Sequence, residues 1–316
     1  MNTVKILLIL FMISFLNANE IMPTKIVNIS AGATDLVIND NKLFVSTSAG
    51  RINIFNLKDF KLISNITIPQ VKDFIGETND SKIYSIDVLK NKILILSQGE
   101  KGARKIDIYE NGKLSTIVPD TKHLFIAQAK FINENEIIFS LLSNELLLYN
   151  INEKKIIYNK QMSQSKFSYF ALNENKKKII IADESGNLKL CDVQTGNLLK
   201  TYKGKNLDNV FQVDFKNGKI LTAGQDRRVV FYSKNDAFYK ESSFLIYSCA
   251  LNSKATLAAY SSNENNDVTI FDTSSKKDLC QLKENKMTLT KILFINNNEI
   301  LVASDNDKIN YYKIKE

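Results

Sequence analysis

A single histidine, His123, and three cysteines, Cys191, Cys249 and Cys280, make up the whole stock of imidazole and thiol, and tryptophan is absent. No His-based metal site or CxxCH haem attachment can be assembled from this set, and a Ser-His-Asp triad would need His123 itself. His123 stands in Thr121-Lys-His-Leu without a second His or a Cys cluster, so it reads as a structural or exposed side chain. Oxygen ligands are more plentiful. Asp305-Asn306-Asp307 and Asn263-Glu-Asn-Asn-Asp267 could in principle hold a hard cation, yet neither carries the spaced ligands and central glycine of an EF-hand loop. Asn and Asp are what tight β-hairpin turns demand, and the two segments are read as turns. The expectation is therefore no catalytic residue, no metal, no cofactor and no enzyme.

The elements that would position such residues are visible as a repeat. A short apolar strand, a turn rich in Asn, Asp, Ser or Gly, and a strand closing on an apolar residue, an aromatic or Cys, and a polar residue recur seven times. The closing strands are Arg51–Asn56, Lys105–Glu110, Glu145–Asn150, Asn187–Asp192, Arg228–Ser233, Asp267–Asp272 and Lys308–Lys313. Ile54, Ile108, Leu148, Leu190, Phe231, Ile270 and Tyr311 are equivalent, at intervals of 54, 40, 42, 41, 39 and 41 residues. Units of about 40 residues with four short alternating strands each describe β-propeller blades. A helical repeat of that length would show apolar spacing near 3.6, whereas Lys42–Thr47 and Glu299–Ser304 are β-branched and bounded by turns. The expected fold is all-β, a seven-bladed propeller. Its seventh unit ends after three strands, so Thr24–Ser30 is expected to supply the fourth and close the ring, removing an open edge.

Asp183 to Tyr202 resembles a WD repeat, with Cys191-Asp192 where that family writes Trp-Asp, and Gly224 to Tyr232 is similar to the same hairpin. The resemblance implies a rigid docking platform rather than a catalyst. The chain departs from the family in having neither the Trp of the dipeptide nor a Gly-His pair. That departure removes the family's buried His/Asp/Ser/Trp hydrogen-bond network, so the blades are expected to hold together by apolar packing alone. The combination of seven degenerate WD-like units, an export signal and Lys/Asn/Ile richness resembles the accessory proteins encoded with periplasmic nitrate reductase. This implies a protein partner among the nitrate reductase subunits. The alternatives are an envelope or outer-membrane-protein assembly scaffold, and a propeller enzyme such as a lactonase.

The N-terminus supplies the address. Lys5 precedes the apolar run Ile6–Leu16, and Asn17-Ala18-Asn19 could admit a signal peptidase after Ala18. Eleven positions, Ser14 included, are too few to cross a bilayer, so residues 1–19 are read as a cleaved signal peptide, and 20–316 as one periplasmic domain without stable membrane insertion. A monomer is expected. In an oxidising compartment three cysteines cannot all pair. They are read as small buried hydrophobes in strands, with a Cys249–Cys280 disulfide as the alternative. The 316 residues carry 42 Lys+Arg against 34 Asp+Glu. Lysines outnumber arginines 38 to 4, as an A+T-rich genome would write, and the surplus is read as diffuse solvating charge. Without a basic run interleaved with aromatics, no nucleic-acid partner is expected.

All four arginines share one topological position. Arg51, Arg104, Arg227 and Arg228 flank the hairpin between the second and third strands of units one, two and five, which places them on one face. They are either a partner-docking rim or ordinary turn-flanking charge. The extra residues of the first interval fall in Gln70–Asn79 and Ser97–Ala103, on the same face, where Phe74 and Ile75 would offer an apolar contact.

Overall fold

The computed structural model describes residues 19–234 and 236–314. The export-signal expectation rests on residues 1–18, which lie outside the described residues. The chain forms seven four-stranded antiparallel blades in ring order. The inner strands are Ala33–Asn39, Ile83–Leu89, Ile126–Phe131, Phe167–Leu172, Val210–Lys216, Cys249–Leu251 and Leu289–Phe294. Each contacts the inner strands of both neighbouring blades, so together they surround one axial channel. The expected third strands are found as Arg51–Asn56, Arg104–Glu110, Glu145–Asn150, Leu188–Asp192, Arg228–Tyr232, Val268–Asp272 and Lys308–Lys313.

Burial explains why the repeat could be read. Second strands such as Lys42–Thr47 and Glu299–Ser304 are buried on both sides because a blade lies against each, which is why they read as unbroken apolar runs. Outer strands such as Lys155–Gln161 are exposed along nearly their whole length. The core is accordingly divided among the blade interfaces. One apolar cluster joins blades 1 and 2 through Ile52, Ile66, Ile86 and Ile95, and another joins blades 7 and 1 through Leu43, Phe55, Leu301 and Tyr311.

The ring closes as expected. Lys25–Asn28 pairs antiparallel with Lys308–Lys313, with Val27 opposite Ile309, and completes blade 7. A feature not expected from the sequence precedes it. Asn19–Ile21 pairs in parallel with Asp278–Leu282 and forms a fifth strand on blade 6, where Lys283 meets Glu20 at 3.1 Å. The three cysteines are buried and free, and burial pushes Cys191 and Cys280 up to about 11 and Cys249 well above its ordinary value. Cys249 lies in the inner and Cys280 in the outer strand of blade 6, with two strands between them.

Two expectations are corrected. The blades do not rely on apolar packing alone. Asn206, in the connection to blade 5, accepts from Thr222 Oγ1 at 2.7 Å and donates to the Tyr232 hydroxyl at 3.1 Å. Tyr232 stands in blade 5 where Cys191 stands in blade 4, and Asn, Thr and Tyr supply a buried hydrogen-bond network of this chain's own. Blade 7 repeats the device, with Asn285 Oδ1 accepting from the Tyr312 hydroxyl at 2.9 Å and from Asn310 Nδ2 at 3.0 Å. Asn206→Ala should cost about 1–3 kcal/mol, because it takes the partner from the buried Tyr232 hydroxyl and leaves Thr222 only its longer contacts with Val230. Thermal unfolding of the variant measures this, and an unchanged midpoint would reduce the network to decoration.

The second correction concerns charge. The lower face is made by the turns joining first to second and third to outer strands. With one strand residue on either side, and Lys313 and Lys25 closing blade 7, these segments hold nineteen lysines, no arginine and twelve carboxylates. The rest of the described chain holds 21 cations and 21 carboxylates. The positive surplus is segregated on one face instead of spread diffusely.

Candidate functional site

The upper face carries the second-to-third hairpins and the blade-to-blade connections. Six exposed large apolar side chains lie on it, within five of its seven connections: Phe74 and Ile75, Phe125, Leu207, Phe244 and Met287. Nearly all the other exposed large apolar residues lie on outer strands around the circumference.

Phe74 and Ile75 are each 80% exposed, and their loop is built to hold them there. Val71–Lys72 pairs with Thr78–Asn79, and Asp73 Oδ1 accepts from the amides of Ile75 at 3.0 Å and Glu77 at 2.9 Å. The loop leans on its neighbours: the Lys72 amide donates to Glu100 at 3.1 Å, and the Glu100 amide donates to Asp120 at 2.9 Å. Gly102, at φ +72°, lies so close to the Phe74 ring that a Cβ there would approach it to 3.1 Å. The two insertions read from the first interval therefore pack together. A second apolar patch forms where blades 5 and 6 meet, with Phe211 and Tyr247 stacked at 5.4 Å and Phe244 at 6.3 Å from Tyr247.

The arginines all stand at the expected hairpins, but they divide into two kinds. Arg51 and Arg227 are exposed, the latter in a left-handed turn at φ 63°. Arg104 is turned inward: its guanidinium lies 4.0 Å from the Tyr84 ring centroid and donates to the Ile126 carbonyl, and burial lowers its pKa. Arg228 sits 4.2 Å from the Tyr239 ring centroid and donates to Glu241 at 3.1 Å and to the Lys205 carbonyl at 3.3 Å. Two of the four are thus spent on internal contacts. Phe125, Leu207, Phe244 and Met287 join this face without having been expected there. Their signal was present, since each falls between an outer strand and the next inner strand, where a connection has no interior to fill. His123 is exposed and in a left-handed conformation after the short turn Asp120–Lys122. Asn263 Oδ1 accepts from the amides of Asn265 and Asp267, each at 3.1 Å, as turn chemistry requires.

The axial channel is narrowed by a charged cluster. Asp35 of blade 1 meets Lys130 of blade 3 at 3.1 Å and Lys291 of blade 7 at 3.4 Å, and Lys291 donates across the channel to the Tyr169 hydroxyl of blade 4 at 2.6 Å. Burial pushes the Asp35 carboxyl upward, but the two ammonium groups and the Ile86 amide outweigh it and hold it below the usual range. Burial presses the other way on Lys130, and Asp35 and Asp87 raise it nonetheless. Around this waist, side chains in the inner strands, or just before one in the case of Ser248, accept backbone amides of the next blade. Ser85 accepts from Ala129 at 3.2 Å, Gln128 from Phe170 at 2.9 Å, Gln212 from Cys249 at 2.9 Å and Ser248 from Ile292 at 3.1 Å. The waist separates a cavity of about 160 Å³ toward the upper face from one of about 510 Å³ toward the lower face.

No protein-family model matches the sequence, and no curated protein matches it. Among solved structures, the chain is similar to the crystal structure of the Cps50 (Swd1) β-propeller domain of Myceliophteria thermophila. The similarity has a TM-score of 0.74 at 13% identity and covers 93% of this chain and 99% of that one. The protein is a seven-bladed, WD-repeat-like β-propeller.

Proposed function

We propose that this protein is an exported, non-catalytic scaffold that docks a protein partner on its upper face, and that it serves as an accessory factor for assembly or activity of periplasmic nitrate reductase. The observation that carries the docking reading is the placement of exposed apolar side chains in five of the seven upper-face connections. Monomeric soluble proteins seldom gather such side chains on one face without a use for them. Exposed aromatic anchors and exposed arginines on one face are the composition of a protein-binding hot spot. The nitrate reductase assignment is supported by the sequence resemblance alone, including the apolar run and small residues that read as a signal peptide.

The test is affinity capture of the tagged protein from the periplasm of its own host grown on nitrate. Recovery of the catalytic subunit or its electron-transfer partners is expected. Recovery of outer-membrane assembly components instead would sink the nitrate assignment and leave the scaffold standing. Within the same experiment, Phe74→Ser with Ile75→Ser, or Arg51→Ala with Arg227→Ala, should weaken capture about ten-fold or more while leaving the melting temperature unchanged. Arg104→Ala and Arg228→Ala should lower the melting temperature, because their guanidinium groups are already engaged within the fold.

A further inference from the structure

The lower face gathers the whole positive surplus of the described residues, and its chemistry is narrow. Every cation on it is a lysine. Its turns are two to five residues long and hold none of the exposed large apolar side chains, the nearest of which, Leu62 and Leu198, open the outer strands of blades 1 and 4. Several turns pass through left-handed residues, among them Asp40, Lys90, Lys154, Lys176 and Lys276, which keeps them tight. The result is a broad face of short turns studded with ammonium groups.

Composition bias alone does not produce this arrangement. A genome that favours lysine would place it on both faces and the circumference alike, yet among the described residues outside the lower face cations and carboxylates are equal in number. Some of the nineteen lysines are neutralised locally, as Lys90 is by Glu134 and Lys276 by Asp236 at 3.0 Å. Lys58, Lys113, Lys177, Lys254 and Lys277 are exposed, and no carboxylate lies within ion-pair distance of them among the described residues.

A site for a specific acidic protein would be expected to use arginine forks and some apolar anchor, because hydrated ammonium groups by themselves specify little geometry. Single-stranded nucleic acid would call for aromatic platforms among the cations, and the turns expose none. A plane of negative charge asks only for many ammonium groups at similar height, each contributing on its own.

We infer that the lower face is a peripheral docking surface for an anionic phospholipid bilayer. The propeller lies flat on the lipid headgroups through its lysines, without inserting, and turns its apolar upper face away from the membrane. The lower face is separate from the docking rim, so this inference stands or falls independently of the proposed partner.

Vesicle flotation tests it, using the chain from Asn19 onward, which contains every strand of the ring. Vesicles of phosphatidylethanolamine with phosphatidylglycerol are compared with phosphatidylcholine vesicles. The expected result is binding to the anionic vesicles at low salt, release as salt rises, and no binding to the neutral ones. Reversing Lys58, Lys113, Lys177, Lys254 and Lys277 to Glu should lower partitioning on the order of 100-fold or more. The same reversal at Lys72, Lys101, Lys122, Lys203 and Lys286 of the upper face should leave most of it, with melting temperatures confirming that both variants fold. Absence of binding to anionic vesicles at low salt would overturn the inference. Equal losses in the two variants would overturn it as well, since they would mean attraction by net charge without a face.

Discussion

Asp35→Ala should destabilise the ring by about 3–5 kcal/mol, lowering the melting temperature on the order of 10 °C, although Asp35 touches no substrate and sits in no apolar cluster. The reason is what it leaves behind. Lys130 and Lys291 both reach its carboxylate from other blades, and both are largely buried, with side-chain exposures of 17% and 18%. Without Asp35, Lys130 keeps the Ile86 carbonyl at 2.6 Å and Lys291 keeps the Tyr169 hydroxyl, but neither retains an anion in contact. Two ammonium groups would then face each other across a channel that water reaches poorly. The same carboxylate also accepts from the Ile86 amide at 3.2 Å, so the variant loosens the seam between blades 1 and 2 as well. A triple variant, Asp35→Asn with Lys130→Met and Lys291→Met, should recover most of the loss, because it removes the uncompensated charges with their partner. Failure of the triple variant to recover would assign the loss to the seam instead of the charges.

The pH dependence of this difference follows from the directions of the shifts. The Asp35 carboxyl is held below its unfolded value, so its contribution is complete above about pH 4 and is lost as acid takes the pH down through the lowered folded pKa. Lys130 and Lys291 are raised, so their share is complete below about pH 10 and fades only in strong alkali. The stability gap between the wild-type protein and Asp35→Ala should therefore be flat from about pH 5 to 9 and narrow below about pH 4. A gap that changed across neutral pH would point to a titrating group other than these three.

The ring was legible in the sequence because propeller geometry imposes the same burial gradient on every blade. Two-sided burial of the second strand makes an unbroken apolar run, and the third strand closes on an apolar residue, an aromatic or Cys, and a polar residue. Even the orphan strand Lys25–Asn28 was legible, since seven units with one strand missing at the end require it. What was not legible depends on contacts between distant residues. Nothing local marks Asn206 as the centre of a buried network, because its partners, Thr222 and Tyr232, acquire their meaning only when the blade brings them together. The Asp35 cluster joins residues 95 or more positions apart and leaves no periodic trace. The arginines show the same limit from the other side. Topology correctly placed all four at one kind of hairpin, but only the folded chain shows Arg104 and Arg228 stacked on Tyr84 and Tyr239 while Arg51 and Arg227 stay exposed. The fifth strand Asn19–Ile21 had no repeat to predict it. It is a parallel addition to a blade already complete with four strands.

The two N-terminal strands should accordingly differ sharply in worth, and truncation separates them. Removing Asn19–Ile21 should cost no more than about 1 kcal/mol, since the three residues are mostly exposed and their loss still leaves blade 6 with four strands. Removing everything up to Asn28 should cost about 3–5 kcal/mol and make the protein self-associate. Val27, only 4% exposed, packs in the interface cluster with Leu43, Phe55, Leu301 and Tyr311, and burying a valine contributes roughly 1.5–3 kcal/mol. The pairing of Lys25–Asn28 with Lys308–Lys313 and the hydrogen bond from the Thr24 amide to the Tyr311 carbonyl would also vanish. Most consequentially, the strand Lys308–Lys313 would become an open edge over a strip of exposed core, a template for pairing with a second molecule. Thermal unfolding with light scattering after size-exclusion chromatography measures both effects. A synthetic peptide spanning residues 22–31, added in excess, should restore the monomer and part of the melting temperature by refilling the vacant position. If the two truncations behaved alike, the closing strand would be no more than an accessory, and the seventh blade would have to be stable with three strands.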